Sequence, residues 1–304
     1  MTNKITTTPA CQKHAPLKHT LLLTAALGLT VALPAVYAQA TDTRKETRLD
    51  IAPGGTVTIV NNTGSVTLHS DSGHQVLVIY TLHSDKVEVD ENSTADRQRM
   101  EVRTHVLHEQ KPSAEEAKVD YEITVPAGVS VTVNTATAPI TADNLSGDIS
   151  LSSDTGLVSV RNIYKSHVSV RSVTAPVSLN DVTGGHVDIQ STGGAIQLTN
   201  VSGHRVVVGT TSGNITYHGD CSGGGDYILT THSGTINVIL PETASVDLSA
   251  RSTIGSVEND FPLKEKTHTS FTPKAGRSFA GTSNSGSSSV ELQSFSGKIR
   301  VKKQ

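Results

Sequence analysis

Tryptophan is absent, and aromatic residues make up only 3% of this 304-residue chain. A core built from its 35% apolar content must therefore be filled by Val, Ile and Leu. Cysteine is almost absent too: Cys11 and Cys221 are the two, too few for a disulfide framework. The formal charge of −3 leaves out the strongly basic footprint of a nucleic-acid binder. No GxSxG elbow, HExxH pair, P-loop or repeated GGxGxDxUx calcium unit occurs. What the chain has in quantity is Gly (25 residues), with abundant Ser and Thr, a composition of many turns and few helices.

The N-terminus differs in kind from the rest. Lys4, Lys13 and Lys18 precede any acid, Leu21 to Ala35 is almost continuously apolar, and small-residue sites follow at 36–38 and 38–40. That order predicts a secretory signal peptide over residues 1–40. A retained anchor needs about 20 apolar residues, and Pro34 with the polar QATDTRKETR cuts the run short. Cleavage takes the charge from −3 to −6 and leaves Cys221 as the only thiol. No integral membrane segment is expected afterwards. The expected location is periplasm, cell envelope or extracellular space.

Residues 41–304 read as a single repeat-built β domain. A unit of roughly 19 residues begins at Gly147, Ser166, Gly185 and His204 in even succession, and an insertion around CSGGG moves the next start to Gly225. The same template fits from Gly55 and from Ser288. The third position of these units reads Val57, Ile149, Val168, Val187, Val206, Tyr227, Val290, and the fifth Ile59, Leu151, Val170, Ile189, Val208, Leu229, Leu292. The twelfth reads Val66, Val158, Val177, Ile196, Ile215, Ile236, Ile299, and the fourteenth Leu68, Val160, Leu179, Leu198, Tyr217, Val238, Val301. A spacing of two within each pair means strands with both residues on one side. Gly recurs at the tenth position (Gly64, Gly156, Gly194, Gly213, Gly234, Gly297, with Ala175 the exception), which suits a turn of positive φ. The sixteenth position is Asn162, Asp181 or Asn200, a polar corner, and the seventeenth, Ile163, Val182 or Val201, turns inward.

One unit cannot bury these side chains alone, whereas stacked units bury them in continuous rows. The expected fold is all-β: a β-solenoid, a single-stranded parallel β-helix-like stack of about 19-residue coils. The competing architecture is an antiparallel sandwich, whose strands do not keep one inward pattern at a fixed pitch. Within the domain, 55–79 is the first coil region, 80–118 a charged insertion of longer antiparallel strands or a flap, and 119–244 the main coil array. Residues 245–287 form an irregular excursion and 288–304 the terminal coil, whose outward Lys298, Arg300, Lys302 and Lys303 would discourage end-to-end association.

Several stretches carry a family resemblance: PGGTVTIVNNTGSVTL, YEITVPAGVSVTV, TTSGNITYHGD, THSGTINVILP and SSSVELQSFSGKIRVKK. Together they resemble the bacterial "putative adhesin" family of exported proteins, the DUF4097 type, over roughly residues 50–304. The resemblance implies envelope or surface placement and an adhesion-like role. It carries no catalytic residues over.

Chemistry is sparse in the repeat. A carbohydrate-active enzyme on a β-helix needs carboxylates about 5–10 Å apart, yet Asp188 is the only acid in the central outward columns, with Arg171 on the preceding coil as a plausible ion-pair partner. His167 and His186 stack at the second position, between Asp148 and the pair Arg205 and Asp226; a transition metal accepts imidazole, but a firm site wants more ligands. Cys221 falls in the Gly-rich insertion, where a loop thiol is expected outside the regular coils. No catalytic, cofactor-binding or metal residue is therefore assigned, and no cofactor. The expected function is non-enzymatic: a polar Ser/Thr/Asn-rich face for an envelope, surface or polysaccharide partner, and not for nucleic acid. The alternatives are a lyase or hydrolase on the same fold, or a periplasmic structural or signalling accessory.

Overall fold

Inward and outward residues alternate along nearly every strand, so that Ile149–Ser153 and Ile236–Leu240 each bury every second side chain. The computed structural model describes residues 42–107, 111–266 and 271–304. The chain divides into two units, Met1–Gln39 and Ala40–Gln304; the expected signal peptide lies outside the described residues, and only the second unit is described. It is all-β, with its strands joined in one open sheet. Among the described residues no helix is long and apolar enough to cross a membrane.

Parallel pairing organises the array. In one ladder Ser130–Thr135, Ile149–Ser153 and Val168–Ser172 are followed by the C-terminal halves of Val177–Ser191 and Ile196–Thr210, then by Asp226–Thr231. In the other, Ile140–Asp143 and Val158–Tyr164 lead to the N-terminal halves of the same two long strands, then to Ile215–His218 and Ile236–Leu240. Val177 lies between Val158 and Ile196, in the register expected from the repeat. All four apolar columns are buried, as are Ile163, Val182 and Val201. Antiparallel pairs are confined to the two ends, so the sandwich alternative does not form.

Chain order and spatial order part company at both ends. Thr56–Asn61 lies between Arg99–Val106 and Ser130–Thr135, and Gly64–Asp71 between Val119–Pro126 and Ile140–Asp143. Part of the charged insertion thus supplies the outermost coil, and Val87–Ser93 closes it as an antiparallel edge. At the other end Ser288–Ser294 lies between Asp226–Thr231 and Val246–Ser252, and Ile299–Lys303 between Ile236–Leu240 and Val257–Asn259. The last coil in sequence is therefore interior, which corrects its expected place as the terminal rung. Residues 246–259 are outermost instead, and Ser278–Thr282 covers the strand Val246–Ser252 antiparallel. Three of the last coil's outward cations are paired: Lys298 and Arg300 with Glu258 on that outer coil, and Lys303 with Glu242.

The corners also differ from expectation. Of the tenth-position glycines only Gly64 has positive φ. The others are glycine because coils touch there: a Cβ would lie 1.9 Å from the Ala175 carbonyl oxygen at Gly194, and 2.1 Å from that of Gly194 at Gly213. Positive φ falls instead on Asn162 (55°), Asp181 (56°) and Asn200 (52°), residue types whose short polar side chains tolerate it. Asn162 donates to Asp143 and Asn200 to Asp181 across adjacent coils, at 2.8 and 2.9 Å. A further column, unremarked in the sequence, is a hydroxyl at the seventh position, buried at Ser191, Thr231 and Ser294 and half-buried at Thr210. Ser191, Thr210, Thr231 and Ser294 each accept the N–H of the glycine three residues on, which satisfies a turn donor that water does not reach.

Candidate ligand-binding face and corner groove

Between the inward columns, the outward residues form rows in register. Thr141, Ser159, Ser178, Gln197, Thr216, Asn237 and Arg300 succeed one another across seven paired strands, at about the 4.8 Å spacing of neighbouring strands. A hydroxyl or amide is thus presented at each step until Arg300.

The sequence-selected residues distribute as follows. Asp188 accepts a hydrogen bond from Gln190 Nε2 at 3.1 Å, and the register sets Arg171 opposite Gln190, not Asp188. The expected ion pair is replaced by this amide contact. His167 and His186 are neighbours, ring centroids 4.7 Å apart with planes tilted by 37°, and His204 meets His186 edge-on at 6.4 Å. Asp148 engages this column through the His167 backbone N–H, at 3.3 Å. Among the described residues no group of three or more His, Cys, Asp or Glu side chains could hold a metal ion.

Cys221 is a correction. It is 2% exposed and lies one repeat step and one further residue beyond the inward Val201. The loop folds back because two tyrosines stand in apolar columns and reach it from the core. The Cys221 N–H donates to the Tyr217 hydroxyl at 3.1 Å, that hydroxyl donates to the Val201 carbonyl at 2.8 Å, and the Tyr227 hydroxyl donates to the Ser222 carbonyl at 2.6 Å. Burial pushes the thiol up to about 12 and raises Tyr217 as well, so neither group ionises at neutral pH.

A groove that the sequence did not reveal lies at the corner after the strands Asp226–Thr231, Ser288–Ser294 and Val246–Ser252. Thr230, Gln293 and Arg251 are register partners across these three strands. Two residues beyond them, His232, Phe295 and Thr253 follow in the same order, fixed by Phe295 N–H to Thr231 O (3.2 Å) and Thr253 N–H to Ser294 O (3.0 Å). His232 and Phe295 stack face to face, centroids 4.8 Å apart and planes 5° apart, with Phe295 46% exposed. The cavity they line measures about 460 Å³ and its one formally charged lining residue is Arg251. A second hollow of about 350 Å³ shares Arg251 and Thr253 and adds Lys274 and Arg277. Among the described residues no carboxylate lines either.

A family model described as Toastrack DUF4097 matches residues 47–302. Among solved structures, a "putative adhesin" from Bacteroides fragilis aligns at a TM-score of 0.43 and 11% identity, over 88% of this chain and 99% of that one. A "putative cell adhesion protein" from Clostridium sporogenes aligns at a TM-score of 0.31 and 12% identity, over 86% and 100%. A "putative adhesin" from Parabacteroides merdae aligns at 0.33 and 11%, over 86% and 96%. No curated protein matches.

Proposed function

The chain belongs to the Toastrack DUF4097 family, and from that premise we propose that it is an exported, non-enzymatic, adhesin-like β-solenoid that binds an envelope, surface or polysaccharide partner. The observation that carries this reading is the unbroken outward row from Thr141 to Asn237. Hydroxyls and amides repeated at strand spacing make individually weak hydrogen bonds to a partner that is itself repetitive. Their sum matters because each contact raises the effective concentration for the next. Stacked coils hold the row rigid, which limits the ordering cost of binding. The outward row that runs Ser169, Asp188, Val207, Ile228, Glu291 supports recognition more than catalysis, since its two acids, Asp188 and Glu291, are engaged by the amides of Gln190 and Gln293. Export is supported by the basic, apolar, small-residue order of residues 1–40.

Native protein recovered from fractionated cells tests both halves. Mass spectrometry is expected to find an N-terminus at Gln39 or Thr41 in the exported fraction. The same preparation is expected to be retained on a panel of envelope and host glycans. A cytoplasmic protein that begins at Met1, or an exported one that no envelope material or glycan retains, overturns the reading.

A further inference from the structure

We propose that the corner groove around Phe295 and Arg251 is a binding site for an anionic saccharide, one whose pyranose ring carries a carboxylate or a sulfate ester. The inference rests on the function proposed above and adds the place and chemical class of the ligand. Three features converge. The first is an aromatic platform. Phe295 is a large apolar side chain left nearly half exposed and held against His232, with planes only 5° apart. A flat, pre-ordered ring suits the apolar C–H face of a pyranose, which gains by leaving water against it. The neighbouring coil carries the short Thr253 at the same position, which leaves room beside the ring.

The second feature is charge. Without residues 1–40 the chain carries −6, yet the two adjoining hollows are lined by Arg251, Lys274 and Arg277 and by no carboxylate among the described residues. Arg277 is partly occupied, since its Nη1 donates to the Thr253 carbonyl at 2.9 Å. Arg251 is exposed, and among the described residues its guanidinium has no hydrogen-bond or ion-pair partner. A planar guanidinium offers a carboxylate or sulfate two parallel donors. The third feature is polar definition. Gln293 Nε2 is committed to Glu291 Oε1 at 2.5 Å, which turns the amide oxygen into an oriented acceptor for a sugar hydroxyl. Thr230 adds a hydroxyl in the same row. The cavity's 460 Å³ is within the range of small-molecule sites.

Calorimetry on the native protein tests this with three oligosaccharides: a uronic-acid tetramer, its neutral methyl ester, and a sulfated neutral tetramer. The charged forms are expected to bind about tenfold more tightly than the ester, the size of one good charge-assisted contact. Whichever of the two binds more tightly identifies the anionic group. Arg251→Gln is expected to abolish the preference for charge, whereas Phe295→Ala weakens charged and neutral forms alike. Both side chains are exposed, so the unfolding midpoints should match the wild type. Equal binding of charged and neutral forms, no binding of any of the three, or unchanged binding by both variants overturns the site. If the native protein still binds other glycans while both variants match it, the groove assignment fails and the adhesin reading stands. If it binds no glycan or envelope material at all, both fall.

Discussion

Gly193 and Gly194 are adjacent, and neither has positive φ, so an alanine at each meets the same backbone tolerance but different surroundings. A Cβ on Gly193 would find Ser212 Oγ at 3.5 Å as its nearest neighbour, an ordinary contact. On Gly194 it would lie 1.9 Å from the Ala175 oxygen and 2.6 Å from its carbon. Relief to about 3.5 Å, where nonbonded atoms attract, requires the coils to part by roughly 1.5 Å. The local coil-to-coil bonds stretch with them: Gly193 N–H to Val173 O at 2.8 Å and Thr192 N–H to Ser172 O at 3.2 Å. Such a separation takes both beyond bonding distance. Two lost bonds at about 1 kcal/mol each, with the neighbouring apolar contacts loosened, put Gly194→Ala at about 2–3 kcal/mol destabilising. Gly193→Ala should be neutral, or stabilise by about 0.4–1 kcal/mol through the smaller entropy of its unfolded chain. Urea unfolding of the two variants beside the wild type measures the difference. Equal midpoints for the two alanines would falsify close coil contact as the reason for the glycine column.

Cys221 is expected to resist maleimide at neutral pH in the folded protein and to react in full once the chain is unfolded, because its thiol is buried and held at about 12; stoichiometric labelling of the native state would refute the burial. His83 bridges two carboxylates, Nδ1 to Asp42 at 3.0 Å and Nε2 to Asp120 at 2.7 Å. Its pKa is raised, chiefly by the Asp120 hydrogen bond. The stability it adds is therefore complete below the unfolded value of about 6.5 and is lost as pH rises through the higher folded value. Chemical unfolding from pH 5.5 to 8.5 should show the wild type losing its advantage over His83→Gln with rising pH, and a constant difference between them refutes the clamp.

The inward columns were legible because period-two burial leaves its mark in every coil. Val177 needs an apolar residue whatever its distant neighbours are, and the same demand recurs one unit later at Ile196. Corner chemistry was harder to read. Gly at position ten and Asn or Asp at position sixteen both suit positive φ, and sequence alone does not reveal that the glycines answer to a carbonyl from the next coil. Cys221 was misplaced because SGGG signals a surface turn. The two tyrosine hydroxyls that draw the loop inward, Tyr217 and Tyr227, sit in columns that sequence reads only as apolar.

The groove shows why spatial order outranks sequence order. Had the coils stacked as they follow in the chain, the outward Thr230 would neighbour Arg251 directly and His232 would face Thr253. The aromatic pair would not exist. It exists because residues 288–303 enter between residues 226–240 and 246–259, bringing Phe295 onto His232 and Gln293 between Thr230 and Arg251. The same insertion holds the C-terminal strand between two partners, and Thr56–Asn61 is held likewise at the other end. An end coil in a simple repeat stack has one neighbour and frays first. Here each outermost coil is separated in sequence from the coil it covers and carries an antiparallel strand on one of its ladders, Val87–Ser93 on Arg99–Val106 and Ser278–Thr282 on Val246–Ser252. The insertion of residues 288–303 also assembles, from three distant segments, a corner that no single repeat encodes.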